Sequence, residues 1–383
     1  MDAALSAWLG FGWWAAGSTV QWLSAALARS PLPPDSTAQD LRPIADFSIV
    51  APMIGAADAA EPYVRALQVL SEAGAEVLVC VANGNDGAIA ATRAVWPAAT
   101  ILIGSDATFN PKMNNVRKGL EAASRPVVCL CDAGILLTAN ELRSVAGALS
   151  ARVGLVLALK AGEAAENFPA ELERAYINGH QARFLFAADR LGLAVASGGV
   201  TLITHDTLQR IGNWKGFNRW IADDYSVTRS VRELGLRTRL GGSMVRLPLG
   251  RREWSVVWRR QVRWARTRLR LPVWPLVLWE PMIGWLLCGL AGAGALLIVE
   301  TGWQVVVLAT AGHTVAWLAA EKWFMSGRGL AFGPRAAIAA LIREALAPVL
   351  MLNALSGRSI DWRGTDLGSQ WRSRGDGSPE KPV

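Results

Sequence analysis

Residues 3–28, AALSAWLGFGWWAAGSTVQWLSAALA, contain no charged side chain. A helix of about 20 apolar residues crosses a bilayer, so this run predicts an N-terminal membrane anchor. A cleaved signal peptide would start with basic residues and have a shorter apolar core. Here Asp2 precedes the run, and retention is expected. The Pro- and Asp-bearing residues 29–45 read as a linker.

The other end of the chain has the same character. Residues 273–299 are uncharged apart from Glu280, and 302–322 form a second apolar stretch, so both are expected to span. Residues 336–355 are apolar but hold Arg343 and Glu344 side by side. Two charges at mid-membrane are costly, which predicts a re-entrant or interfacial helix, with a true span as the rival. Together these make a C-terminal membrane region over 273–356, followed by a polar tail, 357–383. Lys and Arg abound in 29–272, and Lys322, Arg328 and Arg335 follow the second stretch, whereas Glu300–Gly302 has neither. The positive-inside tendency then places the large middle part in the cytoplasm, on an integral membrane protein of bacterial inner-membrane type. Eighteen Trp against three Tyr, many beside the apolar runs, fit interfacial indoles.

Between the membrane segments the period changes. Phe47–Ala51, Glu76–Ala82, Ala99–Ile103 and Pro126–Cys131 read as strands, with helices near 61–73, 87–96 and 113–123. This alternation predicts an α/β domain over 46–250 with a mainly parallel sheet, helices on both faces and a ligand site at the carboxyl ends of the strands. A second α/β part runs from Val153 to Leu249. The four cysteines, Cys80, Cys129, Cys131 and Cys288, form no C-x-x-C pair and no disulfide framework, which fits a reducing compartment. The net charge of +8 favours anionic partners. Nucleic acid is set aside, because the basic residues cluster against an apolar span.

Five places can carry chemistry. Asp86, in VCVANGND, follows the second strand, where a carboxylate can accept from a ribose hydroxyl or a base N–H; its plain alternative is a solvated loop. NPKMNN, 110–115, opens a helix with Pro111, and Lys112 beside free backbone N–H groups suits an anion. Asp132, in VVCLCDAGI, ends an apolar strand and can bind a divalent cation bridging a diphosphate, or simply cap a turn. Asp223 and Asp224, in WIADDYSV, open a helix near 222–235; they can serve the helix dipole or supply a general base. In RRQVRWARTRLR, within a basic interfacial helix over 251–272, Arg260, Arg263 and Trp264 share one face. Guanidinium forks match phosphate oxygens, although anionic lipid would attract the same helix.

As a set, these segments resemble family 2-type glycosyltransferases with a D, D, D, (Q/R)xxRW signature, and within them the ceramide glucosyltransferase branch, to which bacterial hopanoid glycosyltransferases are related. FNPKMNN, CDAGI, IADDYSVTRSVRELGLR, RQVRW and SIDWRGTD carry the resemblance in that order. It implies a GT-A-like Rossmann-type domain with N- and C-terminal transmembrane helices. It implies donor contacts from Asp86, Lys112, Asp132 and His180, the last in INGHQAR. It implies Asp224 as catalytic base with Asp223 as its acidic neighbour, catalytic Arg260, Arg263 and Trp264, and Asp132 at a divalent cation, Mg2+ or Mn2+. Many related enzymes have Asp-x-Asp where this chain has Asp132-Ala133-Gly134, so one ligand is missing. Arg260 in place of Gln, and few membrane segments, point to one sugar per acceptor and not to a polymer. The expected reaction is inverting transfer of a hexose from a UDP-sugar, UDP-glucose first, to a lipid of the bilayer, ceramide first. A hopanoid or other lipid acceptor, with a donor such as UDP-N-acetylglucosamine, is the alternative. A non-catalytic membrane protein that binds nucleotide sugars is the alternative of another class, and it would be marked by loss of one of the three Asp.

Overall fold

The computed structural model describes residues 2–29, 42–104, 110–195, 197–362 and 365–368. Phe109 of FNPKMNN, linker residues 30–41 and tail residues 369–383 lie outside them. The chain forms two compact units. A sheet unit holds 32–163, 188–248 and 359–383, and a helical unit holds 1–31, 164–187 and 249–358.

The strands are β1 (Phe47–Pro52), β2 (Glu76–Val81), β3 (Ile101–Ile103), β4 (Val127–Cys131), β5 (Val153–Ala158), β6 (Lys160–Ala165), β7 (Val200–Thr204), β8 (Arg237–Leu240) and β9 (Val245–Gly250). Seven of them make one sheet in the order β3-β2-β1-β4-β7-β5-β8. β1 to β4 pair in parallel, as the alternation predicts. β7 runs antiparallel to both β4 and β5, so the sheet is mainly parallel, as expected, with β7 as its reversed strand. The apolar run VTLIT reads the same in either direction, and only the route of the chain before it sets the sense. β1, β4 and β5 are buried along their whole length, the mark of a sheet covered on both faces.

The helices Glu61–Glu72, Gly87–Val95 and Pro111–Ala122 fall where the apolar spacing put them. Pro111–Ala122 lies so close to the sheet that a Cβ on Gly119 would stand 2.4 Å from a Val50 methyl. That approach fixes the helix start, and Lys112 with it, over the strand ends.

The helical unit is built on close helix packing. The N-terminal helix, Ala3–Arg29, packs on Trp285–Ile298 and Trp303–Gly327. A Cβ on Gly17 would lie 2.1 Å from Cys288 Sγ, and one on Gly292 would lie 2.6 Å from the Trp14 ring. Small residues that let backbones approach are how helices associate without a hydrophobic driving force. Among the described residues, two helices are long and apolar enough to cross a membrane, Trp303–Gly327 and Pro334–Ser356. The stretch 273–299 is instead two shorter helices, Trp274–Trp279 and Trp285–Ile298, broken around Pro281. Proline fits the break, since it cannot continue an intrahelical ladder.

Pro334–Ser356 is one continuous helix in spite of Arg343 and Glu344. Arg343 has a remote partner, Glu321 on Trp303–Gly327. Arg343 donates to both Glu321 oxygens at 2.8 Å, to Glu344 Oε1 at 2.7 Å and to the Ala175 carbonyl at 2.8 Å. Glu344 Oε2 accepts from the Trp285 N–H at 3.1 Å. Both side chains thus have polar partners in place.

Candidate active site

The carboxyl ends of β1, β2 and β4 carry the polar residues singled out in the sequence. Asp86 caps the Gly87–Val95 helix, accepting from the N–H of Ala88 and of Gly55, both at 2.8 Å. The two bonds hold its carboxylate beside the loop that follows β1.

Asp132 follows β4 directly, and its N–H is held by the Gly199 carbonyl at 2.9 Å. Asp223 and Asp224 open the helix Asp223–Glu233. Lys112 sits in the first turn of Pro111–Ala122, which Asn110 caps by accepting from the Lys112 N–H. These three starting points converge. Lys112 Nζ lies 2.7 Å from Asp223 Oδ2 and 3.0 Å from Asp132 Oδ1. Asn115 of NPKMNN and Lys118 one turn on brace the position: Asn115 donates to the Met53 carbonyl, and Lys118 donates to that of Val81.

Sequence reasoning missed two contributors. Gly198 and Gly199 precede β7 with φ of +58° and +112°, a backbone that side chains rarely adopt. Their N–H groups point into the cluster, Gly198 to Asp224 Oδ2 at 2.7 Å and Gly199 to Asp132 Oδ2 at 3.0 Å. Lys160, at the start of β6, is the second: a Cβ on Gly198 would be 3.3 Å from its Nζ and 3.8 Å from Asp224 Oδ2. The signals were present as a Gly-Gly pair before an apolar run and a Lys closing VGLVLALK.

Three carboxylates and two ammonium groups therefore share one small space. Burial alone would lower the Lys112 pKa, but Asp132, Asp223 and Asp224 outweigh it and hold the ammonium charged. Burial would raise Asp132, yet Lys112, Lys160 and the Gly199 N–H bring it below the usual carboxylate range. Asp224 goes the other way. Burial and then the neighbouring Asp223 charge push it up to about 7, against the pull of Lys112. One carboxylate is thus fixed as an anion while another titrates near neutrality, the pattern that separates a binding group from a proton acceptor.

A divalent cation can be tested against the donors present. Among the described residues no three His, Cys, Asp or Glu form a metal-holding group. Asp132 offers one carboxylate, with Oδ1 on Lys112 and Oδ2 on Gly199. That single ligand fits a cation shared with a bound diphosphate, as Mg2+ is commonly held, and not a metal caged by protein alone.

RQVRW and His180 belong to the helical unit. Arg260, Arg263 and Trp264 lie half-buried on the helix Trp254–Arg268. Arg260 is paired with Glu173, a fully buried carboxylate that also takes Arg252 at 3.3 Å. Glu173 was not anticipated, since ELER reads as an ordinary helix face. His180 stands on a π-helical turn, Ala175–Gln181, with Nε2 3.8 Å from Glu280 Oε2.

Against known proteins, residues 14–374 match the family described as glycosyl transferase family 21. Ceramide glucosyltransferase 3 of Caenorhabditis elegans is 23% identical over 311 residues, 77% of this chain and 66% of that protein. Ceramide glucosyltransferase 1 of the same organism is 22% identical over 316 residues, 78% and 66%. The chain thus spans just under two thirds of the length of these relatives. Among solved structures, a mannosyltransferase from Pyrobaculum calidifontis, in complex with GDP-Man and Mn2+, superposes with a TM-score of 0.52 at 15% identity. That match covers 90% of this chain and 99% of that one, and the shared fold is of the GT-A type.

Proposed function

The chain belongs to glycosyl transferase family 21, and from that premise we propose that it transfers one hexose from a UDP-sugar, UDP-glucose first, to ceramide held in a membrane. Asp224 carries the reading. A buried carboxyl that titrates near 7 is suited to take a proton at neutral pH. The acceptor hydroxyl oxygen attacks the anomeric carbon as its proton passes to Asp224. The bond from that carbon to the diphosphate oxygen breaks on the opposite side, and the electron pair leaves with UDP, inverting the centre. Gly198 holds Asp224 through its backbone N–H, so the base is aimed before the acceptor arrives.

The departing diphosphate gains negative charge, and fixed cations that meet it lower the barrier. Lys112 is such a cation on the nucleotide side. Arg260 and Arg263 carry the guanidiniums that the family signature assigns to the same task, and Asp86 is the contact to the nucleoside. A Mg2+ or Mn2+ ion, where bound, would be held by Asp132 and would neutralise the diphosphate. The two long apolar helices, the N-terminal helix and the exposed Leu308, Leu352 and Trp303 support membrane residence, with the sheet unit on the cytoplasmic side.

Mass spectrometry of lipid extracts from cells with and without the gene tests the reading. A hexosylceramide that appears only with the gene is expected. A glycosylated hopanoid in its place would move the acceptor, and no new glycolipid would leave a nucleotide-sugar-binding protein without catalysis.

A further inference from the structure

The helical unit contains a cavity of about 40 Å3 that the transfer reaction does not explain. At roughly 10–15 Å3 for each water centre, it admits a few polar atoms and no whole headgroup. One wall is polar, with His180, Arg268 and Glu280; another is apolar, with Ala347, Leu350 and Met351. The apolar wall belongs to Pro334–Ser356, on which Leu352 and Leu355 are exposed one turn further on.

Charge decides what the cavity can hold. Every arginine that lines it is already matched: Arg268 donates to Glu280 Oε1 at 2.5 Å, and Arg343 is shared by Glu321 and Glu344. A phosphate would find no cation to spare and two carboxylates against it. Arg268 takes only Oε1 of Glu280, and the other oxygen faces His180. At 3.8 Å their approach is too long for a direct hydrogen bond, so a ring nitrogen and a carboxylate oxygen are both able to turn to a guest. A hydroxyl or amide satisfies such a donor and acceptor without bringing charge. The π-helical turn that presents His180 is a local irregularity of the kind found at functional sites.

We propose that this cavity binds the polar end of a neutral, hydroxyl-bearing long-chain lipid, with His180 and Glu280 as the hydrogen-bonding pair and Ala347 and Leu350 setting its size. The lipid chains lie along the apolar face of Pro334–Ser356. This rests on the lipid-acceptor reading above and deepens it, since the occupant is then the acceptor.

The test uses the full chain in phosphatidylcholine nanodiscs and a ceramide analogue carrying a diazirine. Crosslinks are expected within the peptide holding Ala347–Met351, displaced by ceramide and not by phosphatidylglycerol. Ala347→Phe should remove the crosslink and raise the KM for ceramide about tenfold or more, leaving the Kd for UDP unchanged. Leu350→Phe serves should the first variant fail to bind UDP. An unchanged ceramide KM in a filled cavity, or displacement by phosphatidylglycerol, overturns the proposal. Crosslinking at the cavity without any sugar transfer by the wild type keeps this site and removes the proposed function. Transfer indifferent to the filled cavity does the reverse.

Discussion

Two buried charge clusters divide this molecule. In the helical unit, Arg343, Arg183, Glu321 and Glu344 are each no more than 6% exposed, two cations against two anions, and Arg343 donates to both carboxylates. In the sheet unit, Asp132, Asp223 and Asp224 share Lys112 and Lys160, which leaves one negative charge in excess. The first cluster is saturated and has no capacity left for a substrate. The second is short of positive charge, and burial together with the neighbouring Asp223 charge holds the Asp224 proton up to about 7. Matched charge holds helices together; unmatched charge is what a cationic or proton-bearing ligand can use.

The largest expected effect breaks the second cluster. Asp224→Asn should lower sugar transfer by about 10²–10⁴-fold, the usual worth of a positioned base, with UDP binding retained. The companion change in the first cluster is Arg343→Met. It strands two carboxylates and should cost about 3–5 kcal/mol, read as a lower thermal midpoint in detergent. Adding Glu321→Gln should return part of that loss, because fewer charges are then unpaired.

Changing Lys112 sharpens the contrast. Lys112→Met removes the ammonium that restrains Asp224, so the acidic limb of the pH profile should move to higher pH and the donor KM should rise. Lys112→Arg should restore the limb more than the KM, since the charge returns and the shape does not. The smallest effect is that of pH on the wild type. A base is active when deprotonated, so kcat/KM should fall about tenfold per unit below pH 7 and level off above it. The same raised pKa has a stability consequence of defined sign. A carboxyl that binds its proton more tightly when folded adds stability as pH drops below about 7 and withdraws it above. Denaturant midpoints should therefore be slightly higher at pH 6 than at pH 8 in wild type, and the difference should shrink in Asp224→Asn.

Much of the sheet unit could be read from the residues. Apolar runs ending in Asp132, or opening on Pro111 or Asp223, carry local signals whose placement follows from strand and helix periods. The direction of β7 could not be read, because a buried strand has the same composition whichever way it runs. Lys160 and the Gly198–Gly199 pair escaped for a related reason. Their role arises only when β5, β7 and β4 lie side by side, which no local spacing states. In the apolar C-terminal helices, partners remote in sequence could not be read. Arg343 looks costly in an apolar run until Glu321, on another helix, is seen to meet it. Likewise Glu173 shows its importance only through Arg252 and Arg260.

The central claim is that the unmatched carboxylate of the sheet unit drives a sugar transfer to lipid. Its most direct test is the rate of hexose transfer from UDP-glucose to ceramide in nanodiscs, wild type against Asp224→Asn, with UDP binding measured on the same samples. The account predicts normal UDP binding and transfer reduced by at least about a hundredfold in the variant. Transfer at the wild-type rate by a variant that binds UDP would contradict it.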